Sequence, residues 1–282
     1  MILFKTATDI NKHLSFLSGS GKTIGFVPTM GALHDGHLSL INDSKKNVSI
    51  TVCSIFVNPT QFNDPQDFAK YPVTLEDDLK LLENAGCDIV FLPSVAEIYP
   101  HGTHLQKHFN LGYLETILEG KYRPGHFQGV CQVVSRLLEI IQPSILFLGR
   151  KDYQQCMVIK KLIELSGWDI SVSMVETLRN TSGLAMSSRN LRLSEKDKHS
   201  ATAIYQSLQF ISSNIQAGEI AGLLNKAAEI LNAAGFEKID YVAVANAQTL
   251  EPVTNWNGQT PIVGLIAAFI CGVRLIDNLP LS

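Results

Sequence analysis

Two histidines three residues apart, His34 and His37, close the segment Pro28-Thr29-Met30-Gly31-Ala32-Leu33-His34-Asp35-Gly36-His37, which follows the apolar run Ile24–Val27. The run suits a buried strand, Pro28 and Gly31 a turn, and the histidines the first turn of a helix, where positions i and i+3 share a face. A helix start presents backbone N–H groups and the positive end of the dipole, a seat for phosphate. Gly31, Ala32 and Gly36 let the backbone approach a nucleotide closely. Imidazoles aimed at that seat can donate hydrogen bonds to charge developing on a reacting phosphate. Taken locally, the pattern reads equally well as an ordinary strand-to-helix turn that holds two histidines.

Further polar segments follow other strand candidates. Asn58-Pro59-Thr60-Gln61-Phe62 places a Gln where it can offer both an acceptor and donors to a small polar substrate, although by itself it reads first as a strand-ending turn. In Gly149-Arg150-Lys151-Asp152-Tyr153-Gln154-Gln155, Lys151 can neutralise a phosphate as a point charge. Asp152 suits ribose hydroxyls or a helix cap, and Gln155 lies one turn beyond Lys151; a solvated turn has a similar composition. The stretch 179–190 is rich in hydroxyls, and its Met186-Ser187-Ser188-Arg189 offers hydroxyl and guanidinium donors to a triphosphate, as a polar linker also would.

Arg123 and His126, with Gly125 and Gly129, precede an apolar helix and mark either its start or a site. His101, His104 and His108 have a metal-like spacing but no accompanying acidic or Cys ligand, so no metal site is expected there. Glu76-Asp77-Asp78 reads as a charged helix face, with contact to a nucleotide's Mg²⁺ as the alternative.

The elements that must position these residues alternate. Strand candidates are 23–27, 49–57, 88–92, 145–148 and 169–177. Helix candidates are 34–45, 75–85, 129–141 and 153–165, the third with Val130, Val133, Val134, Leu137, Leu138 and Ile141 at helical spacing. Strand, helix, strand in succession predicts an α/β fold with a parallel sheet covered on both faces. Ligands bind such a sheet at the carboxyl ends of its strands. After about Thr177 the texture changes to a smaller α+β part. A helix capped by Ser194 is expected to run to about Ile215 and another from about Gly218 to Ala234, followed by strands 238–245 and 261–271. Residues 93–112 read as a loop.

The chain of 282 residues carries a net charge of −3, so no basic field favours nucleic acid. Its five cysteines, Cys53, Cys87, Cys131, Cys156 and Cys271, are scattered, never spaced as CxxC, and resemble reduced thiols of a cytosolic protein, mostly packed inside. The start is no signal peptide, and the apolar stretch 261–273 is shorter than the ~20 residues that span a bilayer.

Together, Pro28–His37, Asn58–Phe62, Arg123–Val130, Lys151–Gln155, Met186–Asn190 and Arg274-Leu275-Ile276-Asp277-Asn278 resemble the pantothenate synthetase (pantoate–β-alanine ligase) family, in the family's order and over essentially the whole chain. HxGH alone marks only the wider nucleotidyltransferase superfamily, shared with class I aminoacyl-tRNA synthetases; the combination is far more specific. The resemblance implies a Rossmann-like ATP- and pantoate-binding catalytic domain, residues 1–178, and a smaller C-terminal lid domain, residues 179–282. It also implies a cytoplasmic homodimer that uses ATP and Mg²⁺, with no nucleic-acid or membrane partner. ATP and (R)-pantoate give pantoyl adenylate and pyrophosphate, and β-alanine then displaces AMP to give (R)-pantothenate.

By motif position, Met30, Gly31, Ala32, Leu33, His34, Asp35, Gly36 and His37 line the ATP site, with His34 and His37 on the phosphates and His37 the catalytic histidine. The resemblance implies that Gln61 and Gln155 would hold pantoate, Gln61 also lying near the β-alanine position. Gly149, Arg150, Lys151 and Asp152 contact ATP, Lys151 at the phosphates and Asp152 near the ribose. Leu178 stands at an adenosine contact. Met186, Ser187, Ser188 and Arg189 replace the KMSKS of superfamily relatives, Ser187 and Arg189 gripping the triphosphate. Arg150 departs from the family, which commonly has Glu there, so its role is open. Two other readings keep the nucleotide site. A nucleotidylyltransferase would leave AMP on its product, and the Gln61/Gln155 pair argues against it; the intact His34, His37, Lys151 and Arg189 set disfavours a non-catalytic sensor, and the net charge of −3 disfavours a tRNA binder.

Overall fold

The computed structural model describes residues 1–62, 65–105 and 107–282, and every structural statement concerns these. The chain divides into two compact units, residues 1–150 with 155–176, and residues 151–154 with 177–282.

In the first unit, β1 (Ile2–Phe4), β2 (Ile24–Thr29), β3 (Ile50–Ile55), β4 (Ile89–Phe91), β5 (Ile145–Gly149) and β6 (Ser171–Val175) form one sheet in the order β1-β4-β3-β2-β5-β6. Every pairing is parallel, as the predicted α/β class requires. The long helices of this unit are α1 (Ala7–Gly19), α2 (Asp35–Asn47), α4 (Leu75–Asn84), α7 (His126–Ile141) and α8 (Tyr153–Ser166), with short helices α3 (Pro65–Ala69), α5 (Val95–Ile98) and α6 (Leu118–Tyr122) in the connections. Gly25 lets α2 lie close to β2, because a Cβ there would collide with Ser44, Val48 and Phe147. The apolar periodicity of α7 translates directly into burial of Val130, Val133, Val134, Leu137, Leu138 and Ile141.

The chain runs outward from β2 through β3 to β4, then crosses to the other side of β2 for β5, so the sheet switches direction between β2 and β5. Pairing there is brief. β2 pairs with β3 along Ile24–Thr29 but with β5 only at Gly25 and Phe26. Ile24 accepts from Ser144 on the β5 side, whereas Thr29 accepts from Phe56 on the β3 side. Alternation therefore turns Pro28 toward β5, and its missing N–H falls where the ladder has already ended. Proline helps to open the crevice at which α/β sheets take ligands.

The second unit is built on β8 (Lys238–Asn246), β10 (Ile262–Ile270) and β11 (Val273–Pro280), an antiparallel sheet in the order β11-β10-β8, with a two-strand ribbon of β7 (Gly218–Glu219) and β9 (Asn255–Trp256). Helices α9 (Glu195–Ala201), α10 (Ala203–Asn214) and α11 (Ala221–Ala233) belong to it. Leu208 and Leu231 from the helices share a core with Ile266, Ile270 and Leu275 from the sheet.

Several expectations need correction. The helix expected from Ser194 to Ile215 is two helices, broken at Thr202, whose hydroxyl donates to His199 O at 2.7 Å. The next begins at Ala221 rather than Gly218, because Gly218–Glu219 pairs with Asn255–Trp256. β1, α1 and β11 match no expected element, and α5 lies within the stretch 93–112 expected as a loop. Among the described residues, no helix is long and apolar enough to cross a membrane.

Candidate active site

The histidine turn leaves β2 through Gly31 and Ala32, both at positive φ, 78° and 49°. For Ala32 that conformation costs about 1–2 kcal/mol, so the surroundings must impose it. They do so through Asp78 on α4. Its carboxylate accepts from Ala32 N at 2.9 Å and Leu33 N at 2.7 Å, and takes the Thr74 hydroxyl at 3.1 Å. Thr29 Oγ1 accepts from Gly31 N at 3.3 Å while donating to Ser54 O at 2.7 Å.

Asp78 is 1% exposed, which overturns its reading as part of a charged helix face. It lies three residues after Leu75 and four before Leu82, on the apolar side of α4. That spacing was the available signal.

At the start of α2, His34 is the N-cap, and its Nδ1 accepts from Gly36 N at 3.1 Å; His37 Nδ1 accepts from His34 N at 3.3 Å. The ring centroids are 4.1 Å apart. A backbone N–H only donates, so both Nδ1 atoms are acceptors and the proton of each neutral ring resides on Nε2. This revises how the turn can meet a phosphate. The amides of Ala32, Leu33, His34 and Gly36 already have acceptors within the turn and Asp78. The Nε2–H group of each neutral ring is a donor in addition to these amides.

Gln61 lies in the 3₁₀ turn Pro59–Gln61 beyond β3. Its Oε1 accepts from Asn58 Nδ2 at 3.1 Å, and its Nε2 points to Met30 Sδ at 3.0 Å. Asn58, 1% exposed, is fixed by Tyr99 Oη at 2.7 Å and donates also to Gly129 O at 3.2 Å. Burial pushes the Tyr99 phenol up to about 12, so it stays a donor. The Gly129 position, where a Cβ would strike the Thr60 carbonyl, brings α7 against this turn.

Arg123 and His126 serve the same turn. His126 Nδ1 donates to Gln61 O at 2.8 Å, leaving Nε2 to accept from Arg123 Nη1 at 3.0 Å, and Glu119 lies 3.6 Å from that guanidinium. His126 thus holds the opposite tautomer to His34 and His37.

Gly149 ends β5, and Gln155 is half-buried in the first turn of α8. Arg150 pairs at 3.5 Å with the exposed Glu176 beyond β6. The parallel sheet thus brings Met30–His37, Gln61, Gly149, Arg150 and Gln155 to one edge, at the carboxyl ends of neighbouring strands β3, β2 and β5.

The remaining candidates belong to the second unit. Lys151 Nζ lies 3.7 Å from Asp152, Lys151 O accepts from Asn278 Nδ2 at 2.8 Å, and Tyr153 Oη donates to Ala247 O at 2.6 Å. Leu178 O accepts from Met186 N at 2.9 Å, and Arg179 pairs with Ala185 as an antiparallel bridge. Ser187 caps the 3₁₀ turn Ser188–Arg192 by accepting from Arg189 N at 3.3 Å; Ser188 is buried. His101, His104 and His108 lie on an exposed loop. Cys53, Cys87, Cys131 and Cys156 are buried, and burial pushes the Cys87 and Cys131 thiols up to about 11 and about 12, far from an activated nucleophile.

The profile of one family, pantoate-beta-alanine ligase, matches residues 2–280. The chain belongs to the pantoate–β-alanine ligase family. A relative named pantothenate synthetase from Cytophaga hutchinsonii is 44% identical over 99% of this chain and 99% of its own length. One from Bacteroides fragilis is 41% identical over 99% and 98%. The crystal structure of pantothenate synthetase from Thermus thermophilus superposes with a TM-score of 0.92 at 38% identity, covering 100% of this chain and 99% of that one. A pantoate-β-alanine ligase from Francisella tularensis, complexed with βγ-ATP and β-alanine, gives 0.83 at 38% identity, covering 100% and 98%. Membership in the pantoate–β-alanine ligase family accounts for the Rossmann-like sheet and for the motif order along the chain.

Proposed function

We propose that this chain condenses (R)-pantoate with β-alanine to (R)-pantothenate, using ATP and passing through pantoyl adenylate. The observation that carries the reading is the family match over residues 2–280, and the motif resemblance supports roles for His34, His37, Gln61, Lys151, Gln155 and Arg189.

In the first step a pantoate carboxylate oxygen attacks the α-phosphorus. The new P–O bond makes a mixed anhydride as the bond to pyrophosphate breaks. Such a step depends on positioning and charge stabilisation rather than on a protein nucleophile. The Nε2–H donors of His34 and His37 supply hydrogen bonds, with Lys151 and Arg189 adding charge and Ser187 a hydroxyl at the triphosphate; Asp152 and Leu178 hold the ribose and adenosine. In the second step the neutral β-alanine amine attacks the acyl carbon, AMP leaves with the C–O bonding pair, and the nitrogen gives up a proton. Gln61 and Gln155 suit pantoate because they bond its hydroxyls without adding charge. In Gln61 the anchored Asn58 contact fixes which end of the amide faces Met30.

Mg²⁺, brought with ATP, would neutralise charge on the leaving pyrophosphate. Such an ion keeps several waters and takes few carboxylates, and among the described residues no group of three His, Cys, Asp or Glu side chains forms a cage. Asp78 is 1% exposed and accepts from two backbone amides, which gives it the work of shaping the histidine turn. ATP and pantoate binding is assigned to residues 1–178 and a lid role to 179–282, in a cytoplasmic homodimer with no nucleic-acid partner.

Pyrophosphate release from ATP, with pantoate present and β-alanine varied, tests the reaction. Free AMP should appear only with β-alanine; AMP retained on the product would instead make the chain a nucleotidylyltransferase. Because the attacking amine must be neutral, ligation should quicken between about pH 6 and pH 8. A flat profile would remove amine attack as the limiting step.

A further inference from the structure

Arg274-Leu275-Ile276-Asp277-Asn278 carries part of the family resemblance, yet none of its residues has a part in the chemistry above. The segment forms the middle of β11, and Asp277 and Asn278 are each 2% exposed. Strand alternation puts Asp277 on the same face as Val273 and Leu275. A carboxylate in such a place needs a partner.

Its partner is Arg179. Nη1 lies 2.5 Å from Asp277 Oδ2 and Nη2 2.9 Å from Oδ1, fork on fork. The guanidinium also donates to Gly183 O at 3.2 Å and Asn278 O at 3.1 Å, and lies 3.8 Å over the Tyr205 ring. Arg179 is the base of the hairpin whose other arm, Ala185-Met186, leads into Ser187–Arg189. The next residue on β11, Asn278, donates through Nδ2 to the Lys151 carbonyl.

We infer that Arg179, Asp277 and Asn278 form a brace that positions both phosphate-handling segments, Lys151 and Met186–Arg189, as one body. All three are positioning residues. An apolar pair of similar volume would hold the strand about as stably, but it would not set where the hairpin carbonyl and the Lys151 backbone lie. The inference rests on the ATP-dependent reading above.

Two variants test it: Asn278→Ala, and Arg179→Met combined with Asp277→Leu. Both are assayed in the full chain for KM of ATP, KM of β-alanine, kcat and Tm. A brace predicts a KM for ATP raised roughly 10-fold to 100-fold, with KM for β-alanine within about twofold of wild type. A purely structural role lowers Tm and the active fraction, hence kcat, while leaving both KM values in place; that result overturns the brace, as do wild-type kinetics in both variants. If the double variant fails to fold, Asn278→Ala decides alone. A wild-type chain that releases no pyrophosphate overturns the ligase reading instead, so the two failures are distinct.

Discussion

Each unit of this protein buries an aspartate that holds residues here proposed to meet phosphate, and the two are held in different ways. Asp78 accepts from two neutral backbone amides and a hydroxyl. Asp277 accepts from a guanidinium on both oxygens, and from Asn278 N at 2.8 Å. Burial pushes the Asp277 carboxyl above its ordinary value, and Arg179 pulls against that rise. The amide-held carboxylate shapes a tight turn within one segment. The guanidinium-held one ties together pieces far apart in sequence, because an arginine side chain reaches several partners at once.

The same substitution at the two sites tests this difference most strongly. Asp277→Asn leaves the Arg179 guanidinium, whose side chain is 14% exposed, without its counter-charge, and should cost about 3–5 kcal/mol. Denaturant unfolding measures it, and a cost below that of the matching change at Asp78 would break the comparison. His37→Ala should reduce ligation by ~10²–10³-fold if its Nε2–H stabilises transition-state charge; steady-state kinetics with unchanged Tm would attribute the loss to chemistry.

Asp78→Asn keeps one acceptor oxygen but presents an NH₂ to the other amide, a loss of about 1–3 kcal/mol, visible as a lower unfolding midpoint and a poorer kcat. The smallest effect is expected at Glu176→Ala. Its pair with Arg150 joins an 85%-exposed carboxylate at 3.5 Å, worth about 0–1 kcal/mol. A larger change in either stability or ATP KM would give Arg150 a role in the site.

Much of the molecule was legible from periodicity. Strand and helix alternation gave the parallel sheet, and the α7 apolar spacing gave its buried face. His34 and His37 were legible as a pair because a helix start and an i, i+3 spacing are local facts. The break at Thr202 was not, since no Gly or Pro marks it. β11 escaped because Asp277 interrupts the apolar face begun by Val273 and Leu275, for its tertiary partner Arg179, while Arg274 and Asn278 serve Asp240 at 2.8 Å and the Lys151 carbonyl. Arg123 and His126 stayed ambiguous for a similar reason, as their partner is a backbone carbonyl some 60 positions earlier, Gln61 O.

By itself, then, the order of residues settled the family, the α/β class and the short polar segments that follow its strands, because each of these depends on neighbours close along the chain. Tertiary structure alone decided which amides the inward-turned Asp78 accepts from, which nitrogen of the His126 ring keeps its proton, and what Asp277 and Asn278 hold. The physical reason is that a buried polar group is defined by the partner that compensates its lost water, and here those partners lie tens to more than a hundred residues away.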